Sequence, residues 1–403
     1  ACGWNALLPA REPTPSLHGE HPADVIIIGA GWTGLACARR WQELAPEARV
    51  VVIDASEIGE GNPGRNSGFL LEVALAEDAD PANISRMHEC NRMIQEAMQS
   101  IAADVKAYGH PVDLARAGTY RAAVGPVGLK ALHNYKAFLG GAGLPFRQLD
   151  RAERKLELGT EFYAAGLYSP HCYLAQPAEV MRALVSHLPG SVKLYENTPA
   201  LSIKRAAGKW QVRTPNGGLH SPHLVLANNA FTRNLGVARS RIATVYTYAG
   251  LTPRLSDKVL DSLGSHHNWG ILPTHRLGST LRRTADGRLL VRSLQDDGRE
   301  RGGDKLNLAL QDRLWRRFPQ LAGTGFEHIW GGAVGLTHNG APVWGEIEPG
   351  LFASSGCHAG GQVEGTLLGG LLADLALGPE VPDHAVLFGS ASWQAPDALR
   401  VMG

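Results

Sequence analysis

The residues best suited to chemistry are a glycine-rich hexapeptide and a carboxylate that follows its last glycine by twenty positions. The hexapeptide is Gly29-Ala30-Gly31-Trp32-Thr33-Gly34, and the carboxylate is Asp54. In such a pattern the first glycine permits a tight turn, the second lets the backbone approach a pyrophosphate, and the third lets a helix pack on a strand. The acid is placed to accept hydrogen bonds from a ribose. The pattern therefore predicts a dinucleotide-binding site.

Two strands and a helix must position these residues. Val25–Ile28 and Val50–Ile53 are short apolar runs, and residues 33–44 have a helical pattern that ends before Pro46. Strand, glycine turn, helix, strand and acid in this order form a βαβ unit. The helix N-terminus of that unit attracts phosphate groups. Asp54 alone does not distinguish NAD from FAD.

Length and composition indicate a globular chain of two or three domains. It has 403 residues, of which 44% are hydrophobic and 19% charged, and its net charge is +1. This balance argues against a nucleic-acid or anionic-membrane partner. No apolar run reaches the roughly 18 residues expected of a membrane-spanning helix.

The cysteines suggest neither a disulfide framework nor a metal site. The five of them, at positions 2, 37, 90, 172 and 357, are scattered and include no CxxC pair. Residues 1–23 lack the basic and apolar regions of a signal peptide. We therefore expect a reducing, cytoplasmic location.

The order of elements predicts an α/β fold (α+β overall) with a discontinuous nucleotide-binding domain. Apolar spacing predicts further helices at 85–108, 127–139, 177–188, 306–318 and 364–377. A βα unit with a glycine-rich turn returns near the C-terminus, after a long intervening region. We therefore predict a Rossmann-like domain of residues 1–84, 146–232 and 326–403. Residues 85–145 and 233–325 are predicted to form an inserted substrate domain on a mainly antiparallel sheet.

Three further segments favour FAD over NAD. The loop 61–68 follows Asp54 closely and could reach the cofactor from the side opposite the first helix, although a flexible surface loop is the alternative. The apolar run 224–227 ends in a small polar turn at Asn228, which could equally be an ordinary strand end. A glycine-rich turn at 353–362 precedes the last helix, whose N-terminus could stabilise a reduced flavin. No second GxGxxG lies between an apolar strand pattern and a helical pattern, which argues against a nicotinamide partner.

Together these motifs resemble the D-amino acid oxidase/sarcosine oxidase superfamily of FAD-dependent oxidoreductases, and most closely its gamma-glutamylputrescine oxidase-like branch. The branch features are an N-terminal aromatic-proline arm, a Gly-Arg-Asn loop, a strand pair and a Trp-Gly-Gly segment followed by proline. Here they correspond to Trp4 with Pro9, to 64–68, to 282–290, and to 330–332 with Pro342.

The chain also departs from that branch close to the expected flavin face. Ala359-Gly360-Gly361 stands where the branch has Gly-His-Gly, preceded by Cys357 and His358, and Asn339 replaces an acid before Pro342. The substrate therefore cannot be transferred from the branch. Some relatives attach their flavin through a cysteine near 330–335, where this chain has none, so we expect non-covalent FAD.

The resemblance implies oxidation of the C–N bond of an amine or amino acid. A hydride would pass to flavin N5, and the imine would then be hydrolysed. Such chemistry needs no dedicated base, so no catalytic residue is assigned. The electron acceptor would be O2 or another molecule. Alternatives are a flavin dehydrogenase that reduces a quinone or carrier protein, an NAD-dependent dehydrogenase, and a flavin-binding protein without turnover.

The motifs and the resemblance together assign a set of cofactor-binding residues. They are Gly29, Gly31, Trp32, Thr33, Gly34, Asp54, Ala55, Ser56, Arg65, Asn66, Ser67, Gly68, Ala200, Ala227, Asn228, Gly356, Gly360, Gly361 and Gln362.

Five residues are candidates for contact with the substrate. Tyr246 and Tyr248 alternate on one strand and could line an amine pocket, or could be half-buried sheet tyrosines. Arg282 could bind a carboxylate or form a structural ion pair. Trp269 lies in a possible lid, and His358 beside the expected flavin.

Overall fold

A six-stranded sheet forms the centre of the first layer of the fold. The computed structural model describes residues 2–73, 84–275, 278–297, 300–358 and 360–378. All neighbouring strands of this sheet are parallel except the last pair. In spatial order the strands are Lys193–Tyr195, Val50–Ile53, Val25–Ile28, His223–Leu226, Leu351–Ser355 and Val343–Glu348.

Helices cover one face of this sheet and bury its main apolar core. They are Trp32–Leu44, Ile84–Ala107, Pro177–Ser186 and Val363–Leu377. The other face packs on a four-stranded sheet of Gly19–Pro22, Gly217–Ser221, Lys209–Thr214 and Ser202–Ala206. The parallel strands are buried along their whole length, which explains their continuous apolar sequences.

A second, eight-stranded sheet is antiparallel at every pairing but one. In spatial order its strands are His328–Leu336, Ala243–Leu251, Leu289–Asp297, Thr280–Arg283, Trp269–Pro273, Thr119–Ala123, Ala165–Ser169 and Arg147–Leu149. One face carries a core with the helix Asp304–Trp315, and the other faces the first layer.

Smaller elements connect the two layers. A three-stranded sheet contains Phe69–Leu71, Cys172–Ala175 and Leu114–Ala115. The remaining helices among the described residues are Gly3–Ala6, Asn62–Arg65, Gly125–Gly141, Arg151–Leu158 and Asp257–Asp261, with 3₁₀ turns at Asn229–Leu235 and Pro319–Leu321. Within the described ranges, no helix is both long and apolar enough to cross a membrane.

The predicted fold class is confirmed: a discontinuous Rossmann-like unit carries an inserted, mainly antiparallel sheet. Each predicted helix is present and differs by a few residues at its ends. The loop 61–68 contains the short helix Asn62–Arg65 and leads into the strand Phe69–Leu71.

The domain boundaries stay a prediction, and some elements pack across them. The helix Ile84–Ala107, assigned to the substrate domain, contributes Ile94 and Met98 to the core beneath the six-stranded sheet. The strand Ala165–Ser169, assigned to the FAD domain, joins the eight-stranded sheet. Residues 379–403 of the third FAD segment lie outside the described residues.

Candidate cofactor and substrate site

One cavity of about 900 Å³ runs from the glycine turn of the six-stranded sheet to the facing side of the eight-stranded sheet. It begins where parallel strands end, at Ile28 and Ile53, which is the usual ligand position in an open parallel sheet. Its far end is lined by Leu272 and Thr280 of the second sheet. The cavity therefore connects the glycine turn to one face of the eight-stranded sheet.

The glycine turn has no room for side chains. Gly29 has φ +109°, and a Cβ there would lie 2.7 Å from the carbonyl oxygen of Ala227. A Cβ on Gly31 would lie 2.8 Å from Pro63 Cγ, and one on Gly34 would overlap the Gly29 carbonyl oxygen. Only glycine at these three positions allows the turn and the helix Trp32–Leu44 to pack this closely on their neighbours.

Asp54 fastens this turn to the next strand. One carboxylate oxygen accepts a hydrogen bond from the Ala30 N–H (2.8 Å), and the other accepts from the N–H and hydroxyl of Ser56 (2.9 and 3.1 Å). Burial raises the pKa of Asp54, against the lowering effect of these hydrogen bonds. A carboxylate has about four acceptor positions, so capacity for a ribose hydroxyl remains.

Two helix N-termini converge on the cavity. Trp32–Leu44 and Val363–Leu377 both begin without a side-chain cap. They cross closely because Gly365 and Gly369 face Thr33, where a Cβ on Gly369 would overlap the Thr33 carbonyl oxygen. Unpaired N–H groups at both N-termini favour an anionic ligand between them.

The loop after Asp54 closes one side of the cavity. Arg65 donates to the carbonyl oxygens of Glu60 and Gly331, and Asn66 donates to the carbonyl oxygen of Pro63 (2.6 Å). Arg65 is thus held by protein groups while it lines the cavity. Gly68 does not line the cavity. A Cβ on Gly68 would overlap the Ala175 carbonyl oxygen.

The predicted cofactor-binding residues fall into two groups. Gly34 and Gly68 act through close packing and do not line the cavity. The remaining ones all line it: Gly29, Gly31, Trp32, Thr33, Asp54, Ala55, Ser56, Arg65, Asn66, Ser67, Ala200, Ala227, Asn228, Gly356, Gly360, Gly361 and Gln362. Ala359 lies outside the described residues.

Asn229, which the sequence analysis did not select, connects two of these segments. Its Oδ1 accepts from the N–H groups of Gly356 (2.9 Å) and Cys357 (3.3 Å), and its Nδ2 donates to Cys357 Sγ (3.0 Å). His358 Nε2 accepts from the Thr337 N–H (2.7 Å), which requires the tautomer protonated at Nδ1. Cys357 and His358 therefore organise the turn beside the cavity.

Four of the five substrate candidates do not line the cavity. Tyr248 is fully buried and accepts a hydrogen bond from the Arg301 N–H, and Tyr246 packs beside the same core. Trp269 is stacked on Phe318 in that core. His358 alone among the five is a lining residue.

Arg282 lies between the eight-stranded sheet and the three-stranded sheet and is fully buried. Its guanidinium donates to the Ala175 carbonyl oxygen, pairs with Asp113 (3.0 Å) and lies 5.4 Å from the Trp4 ring. Burial lowers the pKa of Arg282, while Asp113 opposes this shift. Arg282 thus forms a structural ion pair at this interface.

A protein-family comparison identifies the class of enzyme. The family model described as "FAD dependent oxidoreductase" matches residues 24–375. The chain belongs to this family of FAD-dependent oxidoreductases.

Curated proteins are similar to this FAD-dependent oxidoreductase over nearly the whole chain. A probable oxidoreductase OrdL of Rhizobium meliloti (strain 1021) is 26% identical, covering 93% of this chain and 88% of the relative. Gamma-glutamylputrescine oxidoreductase of Escherichia coli (strain K12) is 26% identical, covering 91% and 86%. Glycine oxidase from Geobacillus kaustophilus has the same fold, with a TM-score of 0.76, 21% identity, and coverage of 92% and 99%.

The cavity fits the cofactor of this oxidoreductase family. The glycine turn and its helix N-terminus can hold a pyrophosphate, and Asp54 lies at the end of the adjacent strand. The second helix N-terminus, at Val363, faces the same space. The cavity of about 900 Å³ is extended, so the two halves of a long ligand can bind at its opposite ends.

The oxidoreductase cavity also contains three charged residues that sequence reasoning missed. Arg292 and Arg121 line it from the eight-stranded sheet, and Glu364 lines it from the first turn of the last helix. Burial raises the pKa of Glu364 to about 7. The sequence offered one signal for Arg292, which is a charged residue at the end of the apolar run Leu289-Leu290-Val291. A charged side chain in such a strand indicates a position that does not face the apolar core.

Proposed function

We propose that this enzyme oxidises the C–N bond of an amine or amino acid bound beside FAD. The observation that carries the proposal is the continuous cavity that connects the glycine turn to the face of the eight-stranded sheet that bears Arg121 and Arg292. Glycine oxidase and gamma-glutamylputrescine oxidoreductase, to which the chain is similar, are named for such nitrogen-containing substrates.

The residues of the first layer would hold the cofactor. Gly29, Gly31 and the N–H groups of Trp32 and Thr33 would bind the pyrophosphate, and Asp54 the adenosine ribose. The turn Gly356–Gln362 and the helix that follows would lie against the flavin. With no cysteine at 330–335, we expect FAD to be held without a covalent bond.

The reaction removes two electrons from the substrate. Bound FAD would supply the acceptor for the hydride that leaves the carbon attached to the substrate nitrogen. The substrate nitrogen then shares its lone pair with that carbon, and water adds to the resulting iminium to release a carbonyl compound and an amine. The chain contributes by binding, orientation and exclusion of bulk water, since no proton-accepting residue is required of it. The electrons pass finally to O2 or to another acceptor.

The visible spectrum of the purified protein tests the cofactor. We expect a yellow protein whose FAD is released by denaturation, as a non-covalent cofactor would be. A chain that stays colourless after incubation with FAD, and instead binds NAD, would contradict the proposal. Rapid mixing of the reduced enzyme with air then distinguishes an oxidase from a dehydrogenase, because slow reoxidation indicates a different acceptor.

A further inference from the structure

Arg292 projects into the cavity without an acidic partner among the described residues. Its Nε donates to the Thr247 hydroxyl (3.2 Å), and no described carboxylate forms an ion pair with it. Burial lowers the pKa of its guanidinium. Most of its donors are therefore available to a ligand.

Arg121 also lines the cavity and also has no acidic partner among the described residues. Its Nε and one terminal nitrogen are buried and have no hydrogen-bond partner among the described residues. Its guanidinium lies 4.8 Å from the ring centre of Tyr135, which holds the side chain by a cation–π contact. The ring fixes the position of the guanidinium and leaves its charge uncompensated.

The two arginines belong to one row across the eight-stranded sheet. In the sheet, Arg292 lies directly opposite Thr280 on the neighbouring strand, and Arg121 lies opposite Leu272. Leu281 and Ile271 lie opposite each other on the two middle strands, and Thr280 and Leu272 are their neighbours along those strands. Three strand spacings thus separate the two arginines, or about 14 Å between their backbones. All four residues line the cavity, so they share one face.

The acidic residues that line the cavity are engaged or placed elsewhere. Asp54 bonds to the glycine turn and to Ser56, at the nucleotide end. Glu364 lies on the last helix and forms no ion pair with either arginine. By contrast Arg282, ten positions before Arg292, has a carboxylate partner in Asp113. The arginine in the interface between the sheets is neutralised, whereas the two in the cavity are not.

We propose that the substrate is an amine carrying two carboxylates, one bound by Arg292 and the other by Arg121. This inference rests on the proposed function and names the class of amine that enters the cavity. A half-buried guanidinium without a counter-charge is costly, and a carboxylate compensates it through two parallel hydrogen bonds. Two such sites about three strands apart favour a substrate with a carboxylate at each end and the reacting nitrogen between them.

Binding of unreactive diacids tests the inference without turnover. Succinate and glutarate would be compared with their half-amides, succinamate and glutaramate, which have the same shape and one carboxylate fewer. The readouts are the melting temperature of the FAD-free chain and the visible spectrum of the FAD-loaded enzyme. We expect at least one diacid to bind about tenfold or more tightly than its half-amide. Equal affinity for diacid and half-amide would overturn the inference.

Substitution of each arginine identifies the groups involved. Arg292→Gln and Arg121→Gln should each weaken diacid binding about 30-fold or more and abolish the preference over the half-amide. Arg205→Gln, in an exposed strand, is the matched control and should change neither. If Arg292→Gln alters the flavin spectrum or the FAD content but preserves the preference, Arg292 serves the cofactor and the inference is wrong.

Anaerobic reduction separates failure of this inference from failure of the proposed function. Amino diacids would be mixed with the FAD-loaded enzyme beside monocarboxylate amines of similar length, and bleaching of the flavin would be followed. Faster bleaching by the diacids supports the inference. Equal or faster bleaching by the monocarboxylates overturns it and leaves the proposed function standing. Bleaching by no amine contradicts both.

Discussion

At the residue scale, the glycines of the nucleotide turn are the most strictly determined positions. A Cβ on Gly34 would overlap the Gly29 carbonyl oxygen, whereas one on Gly370, in another helix, would meet open space. Replacement by alanine should therefore be destabilising at Gly34 and neutral or slightly stabilising at Gly370.

Gly34→Ala should lower the FAD content and destabilise the fold by roughly 1–3 kcal/mol, because the helix and the turn must separate. Gly370→Ala is the control and should be neutral or slightly stabilising. The measurements are the ratio of flavin to protein absorbance and thermal unfolding. Equal FAD content in both variants would contradict this role of Gly34.

Glu364 should make the stability of the FAD-free chain depend on pH. Burial raises its pKa to about 7 from its usual 4.5. Between these values the folded chain retains a proton that the unfolded chain has released, so stability falls as the pH rises from 4.5 to 7. The loss is complete above pH 7 and is about 3 kcal/mol.

Glu364→Gln removes this titration. Above pH 7 the variant should melt at a higher temperature than the parent chain, and near pH 4.5 at almost the same temperature. Glu12→Gln, at an exposed position, controls for the change in net charge. A difference between Glu364→Gln and the parent that does not vary with pH would refute the assignment.

At the element scale, the N-terminal helix Gly3–Ala6 supports the loop that closes the cavity. Trp4 Nε1 donates to the Asn66 carbonyl oxygen (2.8 Å), and its ring lies 6.0 Å from that of Trp330 in an edge contact. Trp330 in turn donates to the Arg65 carbonyl oxygen. The two tryptophans thus hold the loop backbone from outside the nucleotide turn.

Trp4→Ala should therefore weaken FAD binding about tenfold, or ~1.4 kcal/mol, although Trp4 does not line the cavity. Trp4→Phe keeps an aromatic ring and loses the hydrogen bond, so its effect should be smaller. Ultrafiltration or fluorescence titration with FAD measures both, with the exposed Leu308→Ala as control. Unchanged affinity in Trp4→Ala would show that the loop needs no support.

How well the sequence predicts the site depends on the range of the interactions involved. The glycine turn, its helix and Asp54 form one local unit, so their spacing was enough to predict them. The roles of Arg282 and Arg292 depend on which partners the other sheet strands and loops bring to them. Only the fold shows that Asp113 reaches the first and that no described carboxylate pairs with the second. Tyr246 and Tyr248 alternate as predicted, but alternation does not say which face meets the cavity.

At the scale of the whole molecule, the Arg282–Asp113 pair holds the eight-stranded sheet against the three-stranded sheet, which connects the two layers. Asp113→Asn would leave the fully buried guanidinium without its counter-charge, at a cost of roughly 2–3 kcal/mol. We expect a clear fall in melting temperature. Asp24→Asn, in the exposed pair with Arg49, is the matched control and should change it much less. Similar losses in both variants would mean that the buried pair does not join the layers.

The cavity between the layers is also the whole-molecule basis of the proposed chemistry, and anaerobic mixing with amines tests it most directly. The FAD-loaded enzyme would be mixed without oxygen with a panel of amines, amino acids and amino diacids. We predict that at least one compound bleaches the long-wavelength flavin band and that an electron acceptor restores it. If dithionite bleaches the same band but no member of the panel does, the enzyme does not oxidise these C–N bonds.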